Sequence, residues 1–301
     1  MSLKISVVIP SCGRENDLIK LLESLSSASI LPYEIIIVIQ SQNTINLSGS
    51  KINKNLVNII KDNGTGAARA RNIGWGNASG DIISFIDDDA IACKDWVKNI
   101  IESFNLKQFN TGIVSGKIIP TFQEVNQNWK LSDKLRYILP SYDQGENIEL
   151  FKNNSFPPSV NYSVRKNILE KTGGFNEKLG VNSGKNIQIF GEDSDLSQRI
   201  RKLGYEIIYN PGVAVYHPVP LNRQCNEFVK KRLFSEGLTY VYLKRLEHDS
   251  IAFRLIQIIL TILKYFKNIL LPVDDTISDE NKNIYKGRLF GLIHSMKFLS
   301  R

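Results

Sequence analysis

Three carboxylates in succession, Asp87-Asp88-Asp89, stand directly after the apolar run Ile82-Ile83-Ser84-Phe85-Ile86. Buried without partners, such a cluster would cost on the order of several kcal/mol per charge. It must face water or hold something cationic. A hard divalent cation of the Mg2+ or Mn2+ type suits these oxygen ligands and would bring a phosphate-bearing ligand with it. A solvated acidic turn fits three acidic residues equally well. A second acidic group, Glu192-Asp193 with Asp195, precedes Leu196, Ile200 and Leu203. Carboxylates at a helix N-terminus interact favourably with its dipole, and one held firmly there suits a general base. Helix capping accounts for the same residues without chemistry. His217 follows an apolar run, where a histidine is either structural or a ligand.

The elements that must position these residues can be read from hydrophobic periodicity. Ile5-Ser6-Val7-Val8-Ile9-Pro10 and Tyr33 to Ile39 read as buried strands, and Leu18, Leu21, Leu22 and Leu25 as one face of the helix between them, with Asn16 or Asp17 as its cap. Strand, helix, strand is a βαβ unit with parallel strands, which implies a Rossmann-like sheet. A third strand is expected at Val57–Ile60, and a fourth at Ile82–Ile86 carries the acidic triplet to its carboxyl end, where open α/β sheets bind ligands. Asn63-Gly64-Thr65-Gly66 opens a helix that carries Arg69, Arg71 and Asn72. Two glycines ahead of a helix let backbone N–H groups approach an anion, although the full GxGxxG pattern is missing. Further on, helices are expected at Trp96–Phe104, Arg165–Thr172 and from Leu196 to Gly204. Strands are expected at Gly112–Ile119, Ser159–Val164, Tyr205–Tyr209 and Val213–Tyr216. Residues 121–155 read as irregular, with a helix around Trp129–Ile138.

The chain has 301 residues, 42% of them hydrophobic and 23% charged, enough for a folded catalytic domain at 1–222 and a helical extension at 223–301. Its net charge is +8, and the extension holds 14 Lys and Arg against 8 Asp and Glu, so +6 of that charge sits there. A basic tail fits phosphates, a membrane surface or a solvated face. The apolar stretch Phe253–Leu271 contains Arg254, Lys264 and Lys267, and its uncharged run Leu255–Leu263 is too short to span a bilayer. The expectation is a peripheral membrane contact through residues 251–272, with packing on another surface as the alternative. Cys12, Cys93 and Cys225 show no metal-site spacing, which suits a reducing compartment. With no signal-peptide pattern at the start, a cytoplasmic protein is expected, peripheral on the cytoplasmic face of the membrane. No nucleic-acid-binding module is recognisable, and none is expected to bind.

The order of these motifs resembles that of the inverting glycosyltransferases of family 2, which have the GT-A fold. The resemblance rests on Val7-Val8-Ile9-Pro10 with Arg14, on Gly64 through Ala68-Arg69 to Gly74, and on Phe85-Ile86-Asp87-Asp88-Asp89. It is completed by Gly173-Gly174-Phe175-Asn176-Glu177 and by Gly191-Glu192-Asp193 with Leu196 and Arg199. It implies an α/β fold, a Rossmann-like mixed sheet flanked by helices, and transfer of a sugar from a nucleotide-diphosphate sugar (UDP-, dTDP- or GDP-linked). The acceptor would be a hydroxyl of a glycan or lipid-linked molecule, in cell-surface polysaccharide synthesis. It implies that the triplet is a DXD motif, with Asp87 at the ribose and Asp88 beside it. Asp89, with Asp87 and His217, would hold Mn2+ or Mg2+. Pro10, Ser11, Arg14, Gly66, Arg69, Arg71 and Asn72 would line the donor site. Asp193 would be the general base, and Glu192 would orient it or touch the acceptor. One departure stands out: the family's second strand commonly ends in an acidic residue at the nucleobase, and here Ile39-Gln40-Ser41-Gln42 takes its place. Gln40 both donates and accepts hydrogen bonds. A sugar-phosphate nucleotidyltransferase and a non-catalytic carbohydrate-binding protein are the competing readings.

Overall fold

The computed structural model describes residues 3–41, 45–131, 135, 138–152, 155–180, 189–247, 256–264 and 282–292. Two compact units divide the chain. The first, Met1–Gln123, Asp133–Gly184 and Glu192–Val219, is built on one mixed sheet of nine strands among the described residues.

Alternation of apolar residues builds that sheet. β1 (Ile5–Ser11), β2 (Glu34–Ile39), β3 (Val57–Lys61) and β4 (Ile82–Ile86) run parallel in the spatial order β3-β2-β1-β4. Successive side chains go to opposite faces. Ile5, Val7, Ile9, Ile35, Ile37, Ile39, Ile82 and Ile86 therefore enter one core, with α1 (Glu15–Ser26) and α3 (Trp96–Phe104). Val8, Ile36, Val38, Ile83 and Phe85 enter the other, with α2 (Ala67–Gly76), α4 (Lys166–Thr172) and α5 (Glu192–Lys202). Such strands, covered on both faces, are nearly continuous runs of Ile and Val.

β8 (Asn161–Arg165) pairs antiparallel with β4 and extends the sheet through β6 (Thr111–Thr121) to β9 (Glu206–Pro218). Two short strands, β5 (Ile91–Ala92) and β7 (Glu149–Leu150), pair antiparallel with β9. The two final strands expected at Tyr205–Tyr209 and Val213–Tyr216 are one strand. The Pro211-Gly212 segment is a bulge rather than a turn, and pairing with β6 resumes past it after a register shift between Gly116 and Ile118. A Cβ on Gly116 would lie 2.0 Å from the Val213 carbonyl and 2.2 Å from that of Asn210, so glycine is what lets the bulge fold over β6.

The cap expected for α1 at Asn16 or Asp17 is corrected: both lie in the first turn, Arg14 occupies the cap position, and its side chain makes no cap hydrogen bond. α4 stops at Gly173 and Gly174, with φ of +73° and +74°, as the glycine pair implies. Half of the helix expected around Trp129–Ile138 lies outside the described residues, and residues 129–131 are not helical; Gln42 and most of 251–272 also lie outside the described residues.

The second unit comprises Glu124–Ser132, Lys185–Gly191 and Pro220–Arg301. Its described helices are α6 (Asn226–Glu247), α7 (256–264) and α8 (282–292). α6 and α8 cross closely at two glycines. A Cβ on Gly237 would lie 2.1 Å from the Ile284 carbonyl, and one on Gly287 2.0 Å from that of Phe234. No helix among the described residues is long and apolar enough to cross a membrane.

Candidate active site

The order β3-β2-β1-β4 opens a crevice between the carboxyl ends of β1 and β4, because the chain leaves β1 for β2 on one side and later returns to β4 on the other. Ser11 ends β1 and Arg14 follows it at that crevice, and Asp87, Asp88 and Asp89 follow β4. The triplet is not a solvated acidic turn: Asp88 is 1% exposed, and each member has a basic partner.

Arg14 forks across two of the acids, one guanidinium nitrogen on Asp88 and the other on Asp89. Asp88 also accepts a 2.7 Å bond from the Ser11 hydroxyl. Burial pushes the Asp88 carboxyl above the ordinary carboxylate range, although Arg14 and Ser11 pull it down. The middle acid is thus a buried anchor for Arg14 and Ser11. Asp89 also faces His217, whose Nε2 is 3.2 Å from its Oδ1. His217 arrives at the end of β9, opposite Pro120 of β6, and is 4% exposed. Burial lowers its pKa, but the bond that its protonated Nε2 gives Asp89 and the charges of Asp89 and Asp87 outweigh this, and the net shift is upward.

Asp87, Asp89 and His217 each offer one ligand atom, and these atoms lie within 4.8 Å of one another. The imidazole Nδ1 lies 3.0 Å from the Pro218 carbonyl. A proton on Nδ1 donated to that carbonyl leaves Nε2 as the ligand nitrogen, which is the usual support for a metal-bound histidine. Two carboxylates and an imidazole fit a divalent cation, and an imidazole in the set favours a transition ion over Mg2+.

Arg71 joins this group to the second acidic cluster. Its guanidinium, 3% exposed, donates to Asp87 Oδ1 at 2.9 Å and to Glu192 Oε1 at 3.1 Å. Burial pulls its pKa down, but Asp87 and Glu192 outweigh that. Arg71, expected to line the donor site, is buried and ties the two acidic clusters together. Glu192 is buried at the start of α5, with Gly180 packed against its carboxylate. Burial and then the charge of Asp193 raise its pKa, and Arg71 lowers it. Asp193 Oδ2 accepts from the Ser159 backbone N–H at 3.2 Å, and its Oδ1 from that of Ser194 at 2.7 Å. Asp195 pairs with Arg199, which also donates to the carbonyls of Thr172 and Gly174 and so fixes α5 to the end of α4.

A second network lies at the ends of β2 and β3. Asp62, which the sequence reading passed over, accepts from Gln40 Nε2 at 2.9 Å, from Arg69 Nε at 3.0 Å and from the Gly64 N–H at 3.0 Å. The Arg69 hydrogen bond leads the effects that hold its carboxyl down at about 2. Gln40 and Arg69 therefore meet on one acid, away from the triplet's contacts. Asp62 follows a strand at its carboxyl end just as Asp87 does, and that position was the available signal. Gly66, with φ of +113°, caps α2 as the glycine-rich turn implies. Asn72 bonds the Phe175 backbone through both ends of its amide, donating to the carbonyl at 2.8 Å and accepting from the N–H at 2.8 Å. Pro10 lies within β1, one residue before Ser11.

Known proteins resemble this chain in both sequence and fold. The succinoglycan biosynthesis protein ExoM of Rhizobium meliloti (strain 1021) is 26% identical over 171 residues, 57% of this chain and 50% of that protein. The glucosyl-dolichyl phosphate glucuronosyltransferase of Haloferax volcanii is 24% identical over 247 residues, 78% of this chain and 75% of that protein. The match to the first thus spans only half of that relative's length. A solved structure, the mannosyltransferase PcManGT from Pyrobaculum calidifontis in complex with GDP-Man and Mn2+, superposes with a TM-score of 0.59 at 14% identity, covering 100% of this chain and 76% of that one. That likeness gives the GT-A fold, a sheet flanked by helices with a helical part at the carboxyl end. The profile of Glycosyl transferase family 2 matches residues 6–173, which include the glycine-rich turn and the acidic triplet. The chain belongs to the family 2 glycosyltransferases.

Proposed function

We propose that this glycosyltransferase inverts the anomeric configuration of its donor in one in-line displacement and depends on a divalent metal. The observation that carries the reading is the pair of acidic clusters linked through buried Arg71: one at the end of β4 with His217 beside it, the other at the start of α5. In-line displacement needs a carboxylate on the acceptor's side and charge neutralisation on the leaving group's side, and these are separate jobs. Asp193 takes the proton from the acceptor hydroxyl as that oxygen attacks the anomeric carbon. Its two backbone hydrogen bonds fix the carboxylate's direction. Glu192, clamped by Arg71, orients Asp193 or meets the acceptor.

Asp87, Asp89 and His217 would hold Mn2+ or Mg2+, which supplies Lewis-acid stabilisation of the departing nucleoside diphosphate. The mixed oxygen and nitrogen donor set favours Mn2+ of the two, and the similar mannosyltransferase was solved with GDP-Man and Mn2+. Arg14 serves the diphosphate, and Ser11, Asp88 and Pro10 form the wall behind it. Gln40, Arg69, Gly66 and Asn72 belong to the nucleotide side. The donor is a UDP-, dTDP- or GDP-linked sugar, and the acceptor a hydroxyl of a glycan or lipid-linked molecule, in line with relatives named for succinoglycan biosynthesis and for a dolichyl phosphate substrate.

Residues 1–222 are the catalytic domain in this reading, and 223–301 a helical extension that touches the cytoplasmic face of a membrane. Ile256, Ile259, Leu260 and Leu263 on α7 recur at helical spacing and are each at least 43% exposed. A basic tail adds attraction to anionic lipid.

A panel of nucleotide sugars incubated with Mn2+ tests the chemistry. Release of nucleoside diphosphate, with an inverted product linkage, is the expected result. Release of pyrophosphate would point to nucleotidyl transfer instead. Asp193→Asn should abolish turnover while sparing donor binding, and full activity in that variant removes Asp193 from the base role. Asp89→Ala should lose Mn2+-dependent donor binding in calorimetry.

A further inference from the structure

We propose that Arg14 is the built-in counter-ion of the metal site: it occupies Asp89 until a divalent cation displaces it, and the freed guanidinium then receives the donor's diphosphate. The inference rests on the reading of Asp87, Asp89 and His217 as the metal site.

Asp89 presents Oδ2 to Arg14, and its Oδ1 lies 3.2 Å from the imidazole Nε2 of His217. A cation that takes Asp89 brings a second positive charge onto a carboxylate that already carries the Arg14 guanidinium, so a neighbour of Asp89 gives way to it. The two are not equivalent. His217 is 4% exposed, held at the end of the thirteen-residue strand β9, and belongs to the ligand group itself. Arg14 is 46% exposed, sits on the loop between β1 and α1, and is not part of that group. It is the partner that gives way.

Asp88 shows where the guanidinium stays. That carboxylate is buried, lies outside the Asp87, Asp89 and His217 group, and holds the other arm of the Arg14 fork. The Ser11 hydroxyl fixes it from behind. Arg14 can thus leave Asp89 without leaving the site. One arm remains on Asp88 while the other is free to meet an anion arriving with the metal. A planar guanidinium with several N–H donors is suited to that exchange, because it binds carboxylate and phosphate in the same forked geometry.

The arrangement gives the two ligands a coupling beyond their direct bond. Cation alone must compete with Arg14 for Asp89 and binds weakly. Cation with a nucleoside diphosphate offers Arg14 a new partner, and both bind better together. By linkage, each ligand raises the other's affinity by the same factor.

Mn2+ binding to the full chain, read from the free-ion EPR signal and by calorimetry, tests this with Arg14→Met and Arg14→Lys. Without nucleotide, Arg14→Met should bind Mn2+ about tenfold more tightly than wild type. With saturating Mn2+, the same variant should bind UDP and GDP about tenfold more weakly. Arg14→Lys keeps the charge without the fork and should lie between. A residue that merely supported the fold would shift both affinities the same way. Wild type that binds Mn2+ while Arg14→Met binds it no more tightly overturns the role of Arg14 alone. Wild type that shows no Mn2+ binding, with or without either nucleotide, overturns the metal site and this inference with it.

Discussion

Replacing Arg71 with methionine removes the one cation among the described residues that pairs with both acidic clusters. Methionine fills much of the same volume, so the loss is of charge rather than of packing. Two carboxylates then lose their partner: Glu192, whose side chain is 8% exposed, and Asp87, at 29%. Deleting one member of a buried ion pair costs about 3–5 kcal/mol, because the remaining charge stays desolvated. Glu192 accounts for most of this, since Asp87 reaches water. The cost should depend on pH. The Glu192 carboxyl is already raised by burial and by Asp193, with Arg71 opposing. A carboxyl raised in the folded state favours folding below its unfolded pKa and loses that contribution as pH rises through its folded value. Without Arg71 the folded value climbs further, so the loss grows larger and continues to higher pH. Urea unfolding of Arg71→Met should thus show a smaller deficit against wild type at pH 5 than at pH 8. Adding Glu192→Gln to Arg71→Met should recover at least about 2 kcal/mol at pH 8, as the buried charge is gone. A deficit below about 1 kcal/mol at pH 8, or one indifferent to pH, would refute the reasoning.

Other outcomes follow from single contacts. Asp62→Asn should cost about 1.5–3 kcal/mol at neutral pH, from the hydrogen bonds to the charged carboxylate. Because the folded carboxyl titrates at about 2, below its ordinary value, this stabilisation is present above the ordinary carboxylate range and fades as pH falls toward 2, where the variant and wild type should converge in acid unfolding. Gly116→Ala should lower stability by more than about 2 kcal/mol, since the added methyl meets the backbone of the bulge in β9 and nothing flexible can yield; a change under about 0.5 kcal/mol in chemical denaturation would contradict that. Substituting Ile256, Ile259 and Leu263 by serine should abolish co-sedimentation with anionic vesicles if α7 docks on lipid, and unchanged binding would remove α7 from that role.

The first half of the fold is legible because burial on both sheet faces leaves Ile and Val runs at β1, β2 and β4 that nothing but a strand explains. Glycine pairs marked the start of α2 and the end of α4 for equally local reasons. Legibility stops where the decisive partner is far away in sequence. Pro211-Gly212 carries a strong turn signal, and only the close approach of Gly116 in β6 converts it into a bulge within one strand. The acidic triplet was visible as chemistry, but the division of labour inside it was not. Asp88 becomes a buried anchor because Ser11 and Arg14, more than seventy positions earlier, come to lie against it. Arg71 read as a donor-site residue on the helix after the glycine-rich turn; its partner Glu192 is 121 positions away, and no local pattern connects the two.

The bulge in β9 has a consequence for how this chain can change length. Between Gly116 and Ile118 of β6 the strand advances two positions, while β9 advances five, from Asn210 to Val215. The surplus is odd, so the strand's two halves run in opposite phase: Ile208 shares a core with Val213 and Val215, whereas Ile207 and Tyr209 face the other side. Buried His217 inherits its direction from that inversion, with exposed Tyr216 as its out-of-phase neighbour. Loss or gain of a single residue between Asn210 and Val213 would exchange the two, turning a tyrosine toward Asp89 and the histidine away. Length variation in this segment is therefore compatible with the site only in steps of two, so parity, more than composition, is what descendants of this chain must keep.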